Sequence, residues 1–251
     1  MDQPAPTRRI IALTGKDALP FLQGLVSNDV LPLAKAPGLV WTALLSPQGK
    51  YLADFFVIST GTDLLIDLPA ALADSTLQRL DMYRLRADVT LTPSAQRVQR
   101  GIGVPPAGAF ADPRHPDLGW RLYGDVGADQ DVDWDAIRVR HLIPDSGIEL
   151  VPGESYLLET GFERLHGVDF RKGCYVGQEV TARMKHKTDL RKGLVRVQVS
   201  TQVPVGTAIL ADGKDAGTLW TQSGGFGIAY LRFDRSQTTL TAGPAMVTVK
   251  D

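Results

Sequence analysis

The chain contains a single cysteine, Cys174, and its neighbours have the chemistry to make its thiol reactive. A thiol becomes a good nucleophile or metal ligand only when it ionises, and nearby cations or a helix N-terminus lower its pKa. Arg171 and Lys172 supply cations, and residues 178–185 form a candidate helix. A cysteine taken alone is more often a small buried apolar residue. The charges, with Gly173 and Gly177 on either side, favour a functional thiol.

Asp54 is a second candidate, because it lies in the strongly apolar run from Tyr51 to Ile58. With apolar residues on both faces of this strand, its carboxylate must be buried with a partner or directed into a pocket. A structural arginine or a backbone N–H would satisfy it equally well. Both interpretations stand at this point.

The composition is typical of a soluble globular protein, with 43% apolar and 22% charged residues among 251. The net charge of -1 predicts no bulk attraction to nucleic acid or membrane. One cysteine excludes an intrachain disulfide and a multi-cysteine metal site. With no signal peptide and no long apolar run, these features predict a cytoplasmic protein.

The elements that must position these residues follow from apolar periodicity and turn signals. We expect strands over residues 8–13, 39–45, 51–58, 64–68, 89–92, 98–104 and 120–123, and helices over 17–26, 70–85 and 134–141. Asp17 is the expected N-cap of the first helix, and Tyr83 belongs to the expected core stripe of the second. Short strand-like runs over 194–199, 207–211, 216–222, 226–233 and 245–250 predict a small barrel or sandwich.

Several familiar signals are missing from the sequence. It has no P-loop, no HExxH and no GxSxG string, and its four histidines lack ligand spacing, so no resident metal site is predicted. The basic run over residues 183–192 is either a solvated helix face or a site for an anionic group, such as a polyglutamate tail or RNA phosphate.

The string KGCYVGQE, residues 172–179, followed by Ala182-Arg183, closely resembles the YgfZ-type, CAF17-like family. These are folate-binding proteins of iron–sulfur cluster assembly, related to the glycine-cleavage T-protein, an aminomethyltransferase. The likeness extends over residues 13–18, 21–30, 44–50, 217–221 and 229–232, and therefore over nearly the whole chain.

The resemblance implies an α+β fold, a three-subdomain ring like the T-protein, with a C-terminal small β-barrel. It implies a folate-binding region of two interleaved subdomains over residues 1–188 and a barrel over 189–251. The implied cofactor is tetrahydrofolate or a one-carbon derivative. Cys174 and Lys172 are the implied catalytic residues, and the implied cofactor-binding residues are Asn28, Asp54, Glu159, Tyr175, Gly177, Gln178, Glu179 and Arg183.

The function implied is that of an accessory factor for assembly or repair of [4Fe–4S] clusters. Its expected partners are client enzymes, including tRNA-modifying ones, and cluster carrier proteins; direct membrane or nucleic-acid binding is not expected. A [4Fe–4S] cluster normally takes four thiolates, so Cys174 would be a ligand shared with a partner, a redox-sensitive thiol or an acceptor near the folate. T-proteins lack the Lys-Gly-Cys-Tyr string and have paired acids where this chain has Ala53-Asp54. The alternatives are a folate-dependent one-carbon transferase and, against the net charge, an RNA-binding module.

Overall fold

The computed structural model describes residues 7–187, 189–236 and 238–250, which form two compact units. The first combines the chain up to residue 132 with residues 165–178, and the second combines 133–164 with 179 onward. The division predicted at residue 189 lies just before the first barrel strand, which begins at Lys192. The compact units instead divide the chain after residues 132, 164 and 178.

A five-stranded antiparallel sheet, in the order β2-β3-β4-β1-β5, organises the first unit. Its elements are β1 (Arg8–Thr14), α1 (Ala18–Gln23), β2 (Gly38–Leu45), β3 (Tyr51–Ser59), β4 (Leu64–Pro69), α2 (Ala70–Arg84) and β5 (Thr90–Pro93). Apolar residues on one face form the core with both helices. Since side chains alternate along a strand, the other face carries Asp54 and Phe56 of β3, and Asp67 lies opposite Phe56 on β4.

Both predicted helices of this unit differ from the structure in detail. α1 ends at Gln23 rather than Val26, and Gly24, in a right-handed conformation, follows its last residue. Asp17 makes no capping bond; its Oδ2 instead accepts the backbone N–H of Asp88 at 2.9 Å. Tyr83 was wrongly placed in the core stripe of α2, since it is 38% exposed.

A small sheet of order β6-β8-β7 completes the first unit, with β6 (Arg97–Gly101), β7 (Phe110–Ala111) and β8 (Trp120–Gly124). The predicted strand over 98–104 therefore ends three residues early. Residues 105–118, where no strand or helix is predicted, contain the short strand β7. This sheet contributes Arg121 and Tyr123, which contact Asp67.

The second unit is built around a closed barrel of order β10-β11-β12-β9-β14-β13. Its elements are α3 (Trp134–His141), the part of α4 (Gln178–Lys187) from residue 179, β9 (Lys192–Val199), β10 (Thr207–Ala211), β11 (Lys214–Ser223), β12 (Phe226–Arg232), β13 (Leu240–Ala242) and β14 (Ala245–Lys250). The barrel prediction is confirmed. β13 was not predicted, because a strand of three residues is too short to show alternation.

No helix within the described residues is both long and apolar enough to cross a bilayer. α2 has 15 residues, and a membrane-spanning helix needs about 20 apolar ones.

Candidate functional site

Lys172 fixes the start of the cysteine loop, which we define as residues 172–178, to the end of α1. Its ammonium group donates to the carbonyl oxygens of Gln23, at 2.7 Å, and Val26, and lies 4.8 Å from the ring centroid of Tyr175. Cations suit the unpaired carbonyls at a helix C-terminus. Lys172 is thus a buried anchor of the loop, and this contact set gives it a structural role that the sequence did not predict.

Burial lowers the pKa of Lys172 from 10.5 to about 8, against the attraction of Asp29 and Asp169, which raises it. The amine therefore still carries its proton at pH 7. In that state it can donate to both carbonyls at once.

The remainder of the cysteine loop is held by backbone and packing contacts. The N–H of Val176 donates to the carbonyl of Gly24 at 3.2 Å, and the Oε1 of Gln178 accepts the N–H of Tyr175 at 3.3 Å. Gly177 has φ +82°, and a Cβ there would lie 2.5 Å from the carbonyl oxygen of Ser46 in the β2–β3 turn. Only glycine allows both this backbone angle and this approach.

Cys174 is the exposed residue at the outer part of this anchored loop. Its neighbour Gly173 is also exposed, and a Cβ added there would meet no atom within 4 Å. Lys172 and Tyr175, on either side of these two exposed residues, are buried and hold the loop against the rest of the unit. The arrangement presents a thiol to solvent on a loop that the fold restrains at both ends.

Asn28 lies where residues 165–170 cross the chain after α1. Its Nδ2 donates to the carbonyls of Trp41, at 2.8 Å, and His166, at 2.7 Å, so both amide hydrogens are used within the fold. Ser27 reinforces this crossing by donating to the carbonyl of Gly167 at 2.7 Å. These bonds give Asn28 a structural role, and its predicted contact with folate stays a prediction.

Asp54 is buried in the middle of β3, with 4% of its surface exposed. Its Oδ2 accepts the indole Nε1–H of Trp41 at 2.8 Å, and its Oδ1 accepts the hydroxyl of Tyr51 at 2.7 Å. Two donors on different oxygens fix the plane of the carboxylate. The sequence identified Asp54 but not these two partners, which lie on the same hairpin.

Asp67, on the neighbouring strand β4, holds a structural arginine pair. Its Oδ1 accepts from Arg8 at 2.6 Å, and its Oδ2 accepts from Arg121 at 2.6 Å and Tyr123 at 2.9 Å. Burial raises the pKa of Asp67, but the attraction of Arg8 and Arg121 outweighs it and holds the pKa below 3.8. A lone carboxylate in the apolar strand LLIDLP is the same signal that marked Asp54, and it could have identified Asp67.

Glu159, Glu179 and Arg183 belong to the second unit. Glu159 is buried, accepts the hydroxyl of Tyr230 through Oε2, and has its backbone oxygen bonded to the N–H of Leu194 at 2.9 Å. It lines a cavity of about 280 Å³ together with Met184, Asp189, Leu190, Arg191, Lys192 and Arg232. Burial and the bond to Glu159 raise the pKa of Tyr230, which stays a protonated donor.

Glu179 and Arg183 form an exposed i,i+4 pair on α4, with Arg183 Nη2 and Glu179 Oε1 3.1 Å apart. The Glu179 side chain is 87% exposed. Such pairs stabilise a helix by about 0.3–0.5 kcal/mol. Their contacts are those of a solvated helix face.

The first unit brings the cysteine loop and Asp54 onto one hairpin. The loop packs on the β2–β3 turn through Gly177, and Asp54 lies in β3. Asp54 thus offers an oriented carboxylate, a group that accepts N–H donors.

The architecture of the two units is that of an aminomethyltransferase. The chain matches the solved structure of the glycine cleavage system aminomethyltransferase T from Bartonella henselae with a TM-score of 0.74, over 97% of this chain and 82% of that one. The sequence identity is 13%, so this likeness shows the fold alone. The predicted T-protein fold with a C-terminal barrel is confirmed.

Sequence relatives identify the family. Residues 191–251 match the domain described as CAF17, C-terminal beta-barrel domain. The mitochondrial iron-sulfur cluster assembly factor IBA57 of Homo sapiens is 30% identical over 274 residues, covering 89% of this chain and 75% of that protein. An IBA57 homolog of Mycosarcoma maydis is 31% identical over 223 residues, covering 76% of this chain and 55% of the relative. The chain belongs to the CAF17/IBA57 family; the narrower YgfZ-type assignment stays a prediction.

The names of these relatives contradict the predicted localisation. The proteins of Homo sapiens, Mus musculus and Mycosarcoma maydis are all named as mitochondrial. The cytoplasmic prediction, which rested on cysteine content and the absence of a signal peptide, is wrong by this comparison. Both features are shared by proteins of other reducing compartments.

Proposed function

We propose that this protein is a folate-binding accessory factor for the assembly or repair of [4Fe–4S] clusters in client enzymes, including tRNA-modifying ones. Cys174 would be a thiolate ligand that it shares with a cluster carrier or client. The relatives named as iron-sulfur cluster assembly factors support this role.

The observation that carries the proposal is the exposed Cys174 on its anchored loop. A single thiolate cannot hold a four-thiolate cluster. A partner must therefore supply the other ligands, and the exposed position of Cys174 leaves the thiol accessible to one.

The cluster role is tested by activating an apo [4Fe–4S] client enzyme with a cluster-loaded carrier protein, with and without this protein. We expect wild type to raise the client's activity and Cys174→Ala to lose that effect while keeping wild-type stability. Lys35→Ala, an exposed change in the same unit, is the control. Full stimulation by Cys174→Ala would exclude the proposed ligand role.

The folate part of the proposal is supported by Asp54, whose carboxylate is held by Trp41 and Tyr51. Equilibrium binding of tetrahydrofolate tests it. We expect Asp54→Ala to weaken binding and Cys174→Ala to leave it unchanged. If wild type binds no tetrahydrofolate, the folate part of the proposal is wrong, whereas the proposed role of the Cys174 thiol is unaffected.

The alternative is a folate-dependent one-carbon transferase, and Asp54 is also the observation that favours it. Turnover of methylene- or methyl-tetrahydrofolate with an amine donor, retained in Cys174→Ala, would support this activity.

A further inference from the structure

We infer that Arg114 and Trp41 are positioning residues for Asp54: Arg114 holds the Trp41 indole, and the indole holds the carboxylate in the plane in which it meets an N–H group of a reduced pterin. This inference rests on the proposed folate function. It concerns a chain of contacts that joins the loop after β7 to the β2–β3 hairpin within the first unit.

The chain of contacts begins at Asp112. The Arg114 guanidinium donates to it through two parallel bonds, from Nε to Oδ1 at 2.9 Å and from Nη2 to Oδ2 at 2.8 Å. The backbone N–H of Arg114 also donates to Oδ1 at 3.1 Å. Such a planar fork fixes the orientation of the guanidinium as well as its place.

The charge state of this pair is stable near neutral pH. Burial raises the pKa of Asp112, but the attraction of Arg114 and of Arg121, whose Nη1 lies 3.6 Å away, outweighs it and keeps the pKa below 3.8. Arg114 is therefore held by a carboxylate that stays ionised.

The Arg114 guanidinium also lies over two aromatic rings. Its Cζ lies 5.7 Å from the ring centroid of Trp41 and 5.0 Å from that of Phe56. Trp41 and Phe56 are cross-strand partners on β2 and β3, and both are fully or almost fully buried. A cation is attracted to the face of an aromatic ring, and this attraction favours one orientation of the indole.

The indole completes the chain, because its Nε1–H donates to Asp54 Oδ2. The last torsion of an aspartate side chain is broad and only loosely fixed by sterics. With Tyr51 on the other oxygen, the bond from Trp41 sets this torsion. The two bonds together fix the plane of the carboxylate, and that plane sets the directions from which an oxygen can accept an N–H group.

The test uses the full chain, with tetrahydrofolate as the probe, and two readouts. Binding affinity is measured for Trp41→Phe, Arg114→Met and Arg114→Lys. The Nε1–H resonance of Trp41, assigned by its loss in Trp41→Phe, is followed without ligand. Arg9→Met, which removes an arginine paired with exposed Asp74, is the control.

We expect Trp41→Phe and Arg114→Met each to weaken tetrahydrofolate binding about 5- to 10-fold, the scale of one lost hydrogen bond. Arg114→Lys, which keeps a cation over the rings, should recover part of that loss. The Trp41 resonance should shift in Arg114→Met and not in Arg9→Met. Wild-type affinity and an unshifted resonance in Arg114→Met would overturn the inference. If wild type binds no tetrahydrofolate, the folate proposal fails, and the resonance alone decides whether Arg114 positions Trp41.

Discussion

At the scale of single residues, the structure gives Lys172 and Cys174 opposite environments. Both were predicted to be catalytic. Lys172 is 8% exposed and bonded to two carbonyls, whereas Cys174 is exposed. In the cysteine loop, Lys172 therefore serves as the anchor and Cys174 is the residue that a partner can reach.

Replacing Lys172 by Met should loosen the cysteine loop. The change leaves the carbonyls of Gln23 and Val26 without their shared donor, which costs about 1–3 kcal/mol for a buried polar group. We expect faster hydrogen exchange at the N–H of Val176 and lower stability in urea. In Lys172→Arg the guanidinium can donate to both carbonyls, so this variant should restore part of the protection of the Val176 N–H against exchange.

Lys35→Met is the matched control, because Lys35 is an exposed lysine of the same unit. Equal exchange at Val176 in Lys172→Met and in Lys35→Met would show that the ammonium group does not anchor the loop.

At the scale of elements, the β2–β3 hairpin supports both parts of the candidate site. Its turn receives Gly177, and β3 carries Asp54. Gly177 lies so close to Ser46 that adding one methyl group, as in alanine, would cause a steric clash.

Gly177→Ala should destabilise the first unit by about 1–3 kcal/mol through its left-handed backbone angle alone. The collision with Ser46 and Leu45, whose Cβ would lie 2.8 Å from the new methyl, adds to this. Gly173→Ala should have little effect, because its added Cβ meets no atom within 4 Å. Urea denaturation of the two variants makes the comparison, and equal stabilities would contradict the packing described here.

The hairpin itself could be predicted from the sequence, because two apolar runs flank a turn containing Pro47 and Gly49. The contacts of the cysteine loop could not. Lys172 meets Gln23 and Val26, which are far away in the chain, and periodicity carries no information about such pairs. Asp54 was found because a carboxylate is unusual in an apolar strand, and its partners Trp41 and Tyr51 were missed because buried aromatic residues look like ordinary core.

At the scale of the whole molecule, each unit buries a carboxylate that joins separate elements. Asp67 bonds to Arg8 of β1 and Arg121 of β8 in the first unit. In the second, Glu149 accepts from Arg138 of α3 and, at 2.6 Å, from the hydroxyl of Thr221 in β11. Neither Asp67 nor Glu149 was predicted from the sequence.

The buried carboxylates of Asp67 and Asp112 should make the protein sensitive to acid. The pKa values of Asp67 and Asp112 are lower in the folded state than their ordinary value of 3.8. Their stabilisation is therefore present above about pH 4 and is lost as the pH falls through the lowered pKa values. We expect the free energy of unfolding, measured in urea, to fall between pH 5 and pH 3.

Asp67→Asn should be less stable at pH 6, because removing one partner of a buried ion pair costs about 3–5 kcal/mol. Its stability should then fall less steeply with acid. Asp74→Asn, at a carboxylate that is 90% exposed, should keep the wild-type profile. An unchanged acid slope in Asp67→Asn would show that this network does not control acid stability.

In the function proposed above, Cys174 binds a cluster together with a partner protein. The most direct measurement is the absorption and Mössbauer spectrum of a cluster formed on a mixture of this protein and an apo cluster carrier protein, supplied with iron and sulfide. We expect a cluster that co-elutes with both proteins for wild type and not for Cys174→Ala. The same cluster on the Cys174→Ala mixture would contradict this proposed role.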